Sequence, residues 1–322
     1  VAGWGAVPQA PKPGVVPLRP LGVGEILDGA ISYIRRDPKT VLGISAVIAV
    51  VLALVQFVTL AATAQSLAVT TGSSSDIDQV VGSLGSASAL FLQTIIGLVI
   101  GVLATGLLTV VMGQAVLGRR VTASEAWART RSRFWPLLGL TLLVSLISFG
   151  AAVLGILLAV AAGALVGNVA GAGLGVLVGV LLGLVAIAAA LWLYVKLLLA
   201  PVALILEAAP VTRSLVRSWK LVDGAWWRTF GIYVLGSILA AIVSSVLTIP
   251  FTIVGTVLSF SALENGDSLP LSYTIAVSLA TLVSSIVVIP FSAGIVSLLY
   301  IDRRIRREAL DIELARAAGV GA

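Results

Sequence analysis

The chain contains no cysteine and no histidine among its 322 residues. Without cysteine there is neither a disulfide framework nor a thiol nucleophile. Without histidine the chain lacks the side chain that changes charge near neutral pH, and zinc and haem lose their usual ligands. Charge is also scarce, at 11% of residues, where soluble domains carry about 25%. Intramembrane serine proteolysis would need an imidazole partner. No aspartate falls inside an apolar run to build an aspartyl dyad, and no Gly-x-x-x-x-Gly-Lys phosphate loop occurs. These absences predict a protein that is not an enzyme and takes no cofactor or metal.

What is abundant is apolar: 59% of residues are hydrophobic, and they are gathered in long runs. A membrane helix needs about 20 such residues. The runs predict six spans near Val41–Ala64, Leu90–Val111, Leu137–Ala162, Leu174–Leu199, Thr229–Val254 and Tyr273–Leu298. The first run is too long for a signal-peptide core. Between spans, Gln65–Ser88 and Ser259–Ser272 carry acids but no basic residue, and Asn168–Gly173 carries no charge. All Lys and Arg except Lys196 fall on the opposite side. By the positive-inside rule both termini are cytoplasmic, in a bacterial plasma membrane. The same sidedness assigns the net charge of +6 to orientation and anionic lipid head groups, not to nucleic acid.

A unit repeats three times. Gly22–Thr40, Val121–Pro136 and Val211–Phe230 are amphipathic segments rich in Arg and aromatics, and each runs into a span. At 100° per residue the first gathers Val23, Ile26, Leu27, Ala30, Ile31 and Ile34 on one face; the third sets Arg213, Arg217 and Lys220 against Leu215, Trp219, Val222 and Trp226. The second opposes Trp127, Thr130 and Phe134 to Glu125, Arg129 and Ser132. Such helices lie in the head-group plane with the apolar face down. The Val-Thr-x-Ser starts at Val121 and Val211 read as matched N-caps. The predicted fold is therefore all-α integral membrane: three two-helix repeats of one orientation (about 21–118, 119–208 and 209–300), each preceded by a cytoplasmic interfacial helix. A Pro/Gly-rich disordered tail (1–20) precedes them, and a cytoplasmic helix and tail (301–322) follow.

Candidate lipid or partner contacts are Arg35, Arg36, Arg129, Arg133, Arg213, Arg217, Lys220, Arg228, Arg303 and Arg304. Their plainer role is an anchoring belt that sets helix depth. The glycines at four-residue spacing from Gly163 to Gly183 predict close helix packing in the third and fourth spans, as a glycine zipper; Gly97 and Gly101 predict the same in the second. Lys196 alone lies inside an apolar run, where it is a functional candidate or snorkels to the surface beside Trp192 and Tyr194. Spans five and six share Ser244-Ser245 before Pro250 and Ser284-Ser285 before Pro290, a pairing expected either of packing kinks or of a cavity or hinge.

The stretch Pro20–Asp28 (PLGVGEILD) and the stretch Leu299–Asp311 (LYIDRRIRREALD), with the six-span plan, resemble actinobacterial proteins that carry the membrane domain of the glycerophosphoryl diester phosphodiesterase family. The phosphodiesterase domain fused to it in some members is absent here. The resemblance implies a multi-pass membrane protein working beside cell-envelope or lipid machinery. The expected function is a scaffold or accessory subunit that binds anionic lipid and other envelope membrane proteins; the alternative is a transporter or lipid translocator using spans five and six.

Overall fold

The computed structural model describes residues 14–17, 19–72, 76–260 and 270–308, with backbone alone at 65–72 and 76–79. Every regular element among them is a helix: α1 Val23–Arg36, α2 Pro38–Gly72, α3 Asp76–Val116, α4 Ala123–Arg131, α5 Phe134–Ala170, α6 Ala172–Leu197, α7 Ala200–Leu206, α8 Val211–Val222, α9 Trp226–Leu258 and α10 Leu271–Glu308. Six stretches are long and apolar enough to cross a membrane: Pro38–Ala64, Val80–Val116, Phe134–Ala170, Ala172–Leu206, Trp226–Leu258 and Leu271–Glu308. The chain is thus an all-helical, multi-pass membrane protein. The short helices α1, α4 and α8 each precede a long one, at the end of the bundle called here the basic end.

Two expected boundaries move. The stretch Gln65–Ser88 is largely helical, because α2 continues to Gly72 and α3 resumes at Asp76. Its Ala, Leu, Gln and Ser residues include no proline to stop a helix. Span six and the expected closing helix are one uninterrupted rod, so no domain edge falls at residue 300. The tail shortens as well. Val15 and Val16 are buried, and the Val15 N–H donates to the Ala115 carbonyl at 3.3 Å. A Cβ on Gly14 would stand 2.2 Å from that carbonyl oxygen, so only glycine lets the segment lie there. Residues 1–13 and 309–322 lie outside the described residues.

Helix α10 is the centre of the bundle, packed on α9, α2, α1 and α3. Its last turns bury Ile295, Leu298, Leu299, Tyr300 and Ile305, and the core around them collects Ile26, Leu108, Met112, Leu199 and Leu221. Helices α5 and α6 stand apart. In each of their spans 11% of the apolar window is buried, against 56% in α3, so the pair meets the bundle mainly near its basic end. The pair is held by backbone proximity. A Cβ on Gly163 would lie 2.7 Å from the Gly175 carbonyl oxygen, and one on Gly175 would lie 2.6 Å from the Gly167 Cα. The turn between them is Gly171, whose φ of +95° is readily adopted only by glycine.

Substituting alanine separates these roles. Gly175→Ala should lower the free energy of unfolding in detergent by about 1–3 kcal/mol through overpacking. Gly183→Ala, where a Cβ meets nothing within 4 Å, should be neutral or slightly stabilising. Equal losses in thermal unfolding of the two variants would contradict the close approach.

Candidate functional site

The first feature is a charged clasp at the basic end. Asp302 is fully buried, in the last turns of α10. Its carboxylate accepts from the Leu21 N–H at 2.9 Å, the Arg306 Nε at 2.9 Å and the Arg228 guanidinium at 3.2 Å. Both arginines also donate to the Leu21 carbonyl, at 2.7 Å from Arg228 and 2.9 Å from Arg306. One residue of the N-terminal segment is thereby held at both its backbone donor and its backbone acceptor. A buried carboxylate is tolerated only when paired and hydrogen-bonded, and this one has three donors. The balance is not complete, since Arg228 Nε is buried with no partner among the described residues.

From Leu21 the chain enters α1, which runs antiparallel along α10. A Cβ on Gly29 would stand 2.8 Å from Leu298, Gly294 faces Tyr33 and Ala30, and the Tyr33 phenol donates to the Pro290 carbonyl at 2.5 Å. Burial pushes the Tyr33 phenol above its ordinary pKa, which keeps it a donor. The N-terminal stretch from Leu21 and the last described turns of α10 therefore face each other as two halves of one joint. In α1, Ile26, Gly29, Ala30 and Tyr33 are buried against the protein, while Val23 and Ile31 are exposed. The close approach at Gly29 sets this stripe against α10.

A second group surrounds Glu207, at the end of α7. It accepts from Arg217 Nε at 2.9 Å and from the Tyr300 phenol, and Arg304 lies 3.4 Å away. Arg217 and Arg304 also reach Glu308, at 2.5 and 3.0 Å. Other arginines act as caps on helix ends. Arg303 Nε donates to the Leu221 carbonyl at 3.0 Å, Arg307 to the Asp223 carbonyl, and Arg36 to the Gly118 carbonyl at 2.7 Å. These carbonyls terminate α8 and α3, where unpaired acceptors and the negative end of the helix dipole favour cations. Of the ten expected surface cations, Arg36, Arg217, Arg228, Arg303 and Arg304 are thus engaged within the chain. Arg35, Arg129, Arg213 and Lys220 are exposed, Arg133 is half-exposed, and none of these five has an ion-pair partner among the described residues.

Lys196 has a partner outside the spans. It is buried, but its ammonium reaches Asp223 at 2.8 Å and sits between the Trp192 and Trp219 rings, at 5.4 and 5.1 Å from their centroids. The hydrogen bond from Lys196, and then its charge, hold the exposed Asp223 carboxyl below its ordinary pKa. Beside it span four breaks. Residues Leu198 and Leu199 separate α6 from α7, and Pro201 at the start of α7 has no N–H to return to the preceding turn. The Ser218 hydroxyl of α8 bridges the break, donating to the Lys196 carbonyl at 2.7 Å and accepting from the Leu199 N–H at 3.2 Å. This task explains why α8 buries Ser214 and Ser218 together with Leu221 and Val222, while Trp219 is exposed. In α4 the buried pair is Ala126 and Thr130, and Trp127 is exposed. Thr122 caps α4 together with Glu125 as expected, but Pro210 and not Thr212 occupies the N-cap of α8.

The break faces a cavity of about 420 Å³ lined by α2, α3, α7, α9 and α10 with the end of α6. Gly97 and Gly101 line it and are not a packing pair, since a Cβ on either meets nothing within 4 Å. The paired Ser/Pro pattern does not converge there. Pro250 is exposed and Pro290 is buried, and both lie inside continuous helices. Pro250 is about two turns from the far end of α9, Pro290 about five turns from the far end of α10. Ser284 donates to the Thr281 carbonyl at 3.3 Å; Ser244, Ser245 and Ser285 have no side-chain hydrogen bond among the described residues. The break that lines the cavity is at Pro201, set inside an apolar run.

Residues 21–302 match a family described as Domain of unknown function (DUF7847), and the chain belongs to that family. The match begins at Leu21 and ends at Asp302, the two residues joined in the clasp. No curated protein and no solved structure matches the chain.

Removing the clasp carboxylate should be far more damaging than removing an exposed partner. Asp302→Ala strands Arg228 and Arg306 and should cost about 3–5 kcal/mol. Asp223→Ala, which removes an exposed carboxylate and leaves the Lys196 ammonium between the Trp192 and Trp219 rings, should cost clearly less. Reversible unfolding of both variants in detergent checks the ranking.

Proposed function

We propose that this member of the DUF7847 family is a non-enzymatic protein of the bacterial cell membrane. With the basic end in the cytoplasm, it docks anionic lipid head groups and envelope membrane proteins there as a scaffold or accessory subunit. The observation that carries this reading is the division of its cations. Arg36, Arg217, Arg228, Arg303 and Arg304 are engaged inside the chain, whereas Arg35, Arg129, Arg133, Arg213 and Lys220 have no ion-pair partner among the described residues. Near them Trp127, Trp135 and Trp227 are exposed. Exposed tryptophan beside unpaired arginine suits the head-group layer, where each cation near an anionic leaflet contributes about 1 kcal/mol. Transport or translocation is the second reading. It is favoured by the mended break in span four beside a cavity, not by the expected kinks of spans five and six.

Lipid retention tests the docking role. The combined Arg129→Gln, Arg133→Gln, Arg213→Gln and Lys220→Gln variant, extracted from vesicles containing phosphatidylglycerol, should retain at least about tenfold less of that lipid by native mass spectrometry. Tenfold corresponds to roughly 1.4 kcal/mol. Retention equal to that of the unsubstituted protein would refute a docking role for these cations.

A further inference from the structure

We infer that the cavity beside the broken fourth span is a binding site for one hydrocarbon chain of a membrane lipid, with an ester or similar acceptor oxygen held at the Tyr194–Tyr233 pair. The site differs from the head-group surface and does not depend on it. Its walls are mostly apolar: Ile48, Leu52, Ile100, Leu198, Val202 and Val296 are among them. At about 420 Å³ it falls in the ordinary range of small-molecule pockets, roughly 300–1,000 Å³. A space of that size suits a hydrocarbon chain. Left empty, a void of this size would forfeit much of the packing on which the bundle depends, and water would find few partners on such walls.

The walls also say how the occupant is oriented. Helix α3 supplies Gly97, Ile100, Gly101 and Ala104 to the lining and α9 supplies Tyr233, and the two helices do not pack closely on each other, which leaves space between them. Gly97 and Gly101 present bare backbone to that space, which a larger side chain would fill. The Tyr194 and Tyr233 phenols lie 3.0 Å apart, and each has only the other as partner among the described residues. Two phenols sharing one hydrogen bond leave one O–H with no acceptor. Ser292, another lining residue, has no side-chain partner among the described residues either. A donor in surroundings this apolar favours a ligand that brings an acceptor, and a lipid ester does so at the head of its chain.

The probe is a phosphatidylcholine with a photoreactive diazirine on one acyl chain, incorporated with the full-length protein into vesicles. Labelled peptides are mapped by mass spectrometry. Adducts should concentrate on α3, α7 and α10 at the cavity. Gly101→Leu, which projects into open space, should reduce cavity labelling at least tenfold without lowering the unfolding temperature and without changing labelling of the lipid-exposed α5 and α6. The Tyr194→Phe/Tyr233→Phe variant should lose several-fold of the phosphatidylcholine labelling but keep that of a diazirine alkane with no oxygen. Cavity labelling no higher than on α5 and α6, or unchanged in Gly101→Leu, would overturn the site. Equal loss of both probes in the phenylalanine variant would overturn the role of the phenols. Because the chain has no cysteine, Ser292→Cys offers a further check. Rapid reaction with a charged, membrane-impermeant thiol reagent would mean water fills the space, and would also overturn the proposal.

Discussion

The architecture depends on one buried carboxylate. Asp302 sits where the chain's beginning, the start of α9 and the end of α10 meet, and its three donors come from those three places. A charge in a nonpolar core is a liability unless it is paired and hydrogen-bonded. Here the requirement is met by drawing in a backbone N–H from Leu21 together with two guanidinium groups, which then hold the same residue's carbonyl. Closure across a separation of 281 residues fixes α1 against α10, and with it the core around Tyr33, Met112 and Leu298.

Backbone satisfaction governs the rest. A bilayer offers no hydrogen bonds to a broken helix, so irregular backbone at depth survives only where protein supplies them or a cavity is lined. Span four uses both solutions: Ser218 reaches from α8 into the break, and Pro201 on its other side lines the cavity. The arginines at the basic end follow the same rule, since Arg36, Arg303 and Arg307 are spent on carbonyls at helix ends. What first reads as a uniform basic collar divides into cations that hold the protein together and cations that remain for something else.

The spans were legible because 20-residue apolar runs and one-sided charge have few other meanings. The close approach at Gly163 and Gly175 was legible for a similar reason, since small residues at four-residue spacing let backbones touch. The faces of the short helices were not. A hydrophobicity wheel treats Gly29, Ser214 and Ser218 as indifferent, yet these are the residues that α10 and the span-four break demand. The partner of Lys196 escaped because Asp223 lies outside every span. The kink at Pro201 escaped because it is set within Leu-Leu-Ala-Pro-Val-Ala. No count of arginines shows which will find a carboxylate elsewhere in the chain. The two motifs at opposite ends of the sequence were visible as motifs; that they bind each other was not.

Leu21 is held as firmly as the core helix it joins. Amide hydrogen exchange of the intact protein in lipid nanodiscs, read at Leu21 and at the last turns of α10, tests it directly. The clasp predicts that the Leu21 amide exchanges roughly a thousandfold or more slower than an open chain, within about tenfold of the Tyr300 amide. Exchange of Leu21 at the rate of an unstructured tail, with α10 still protected, would contradict the account.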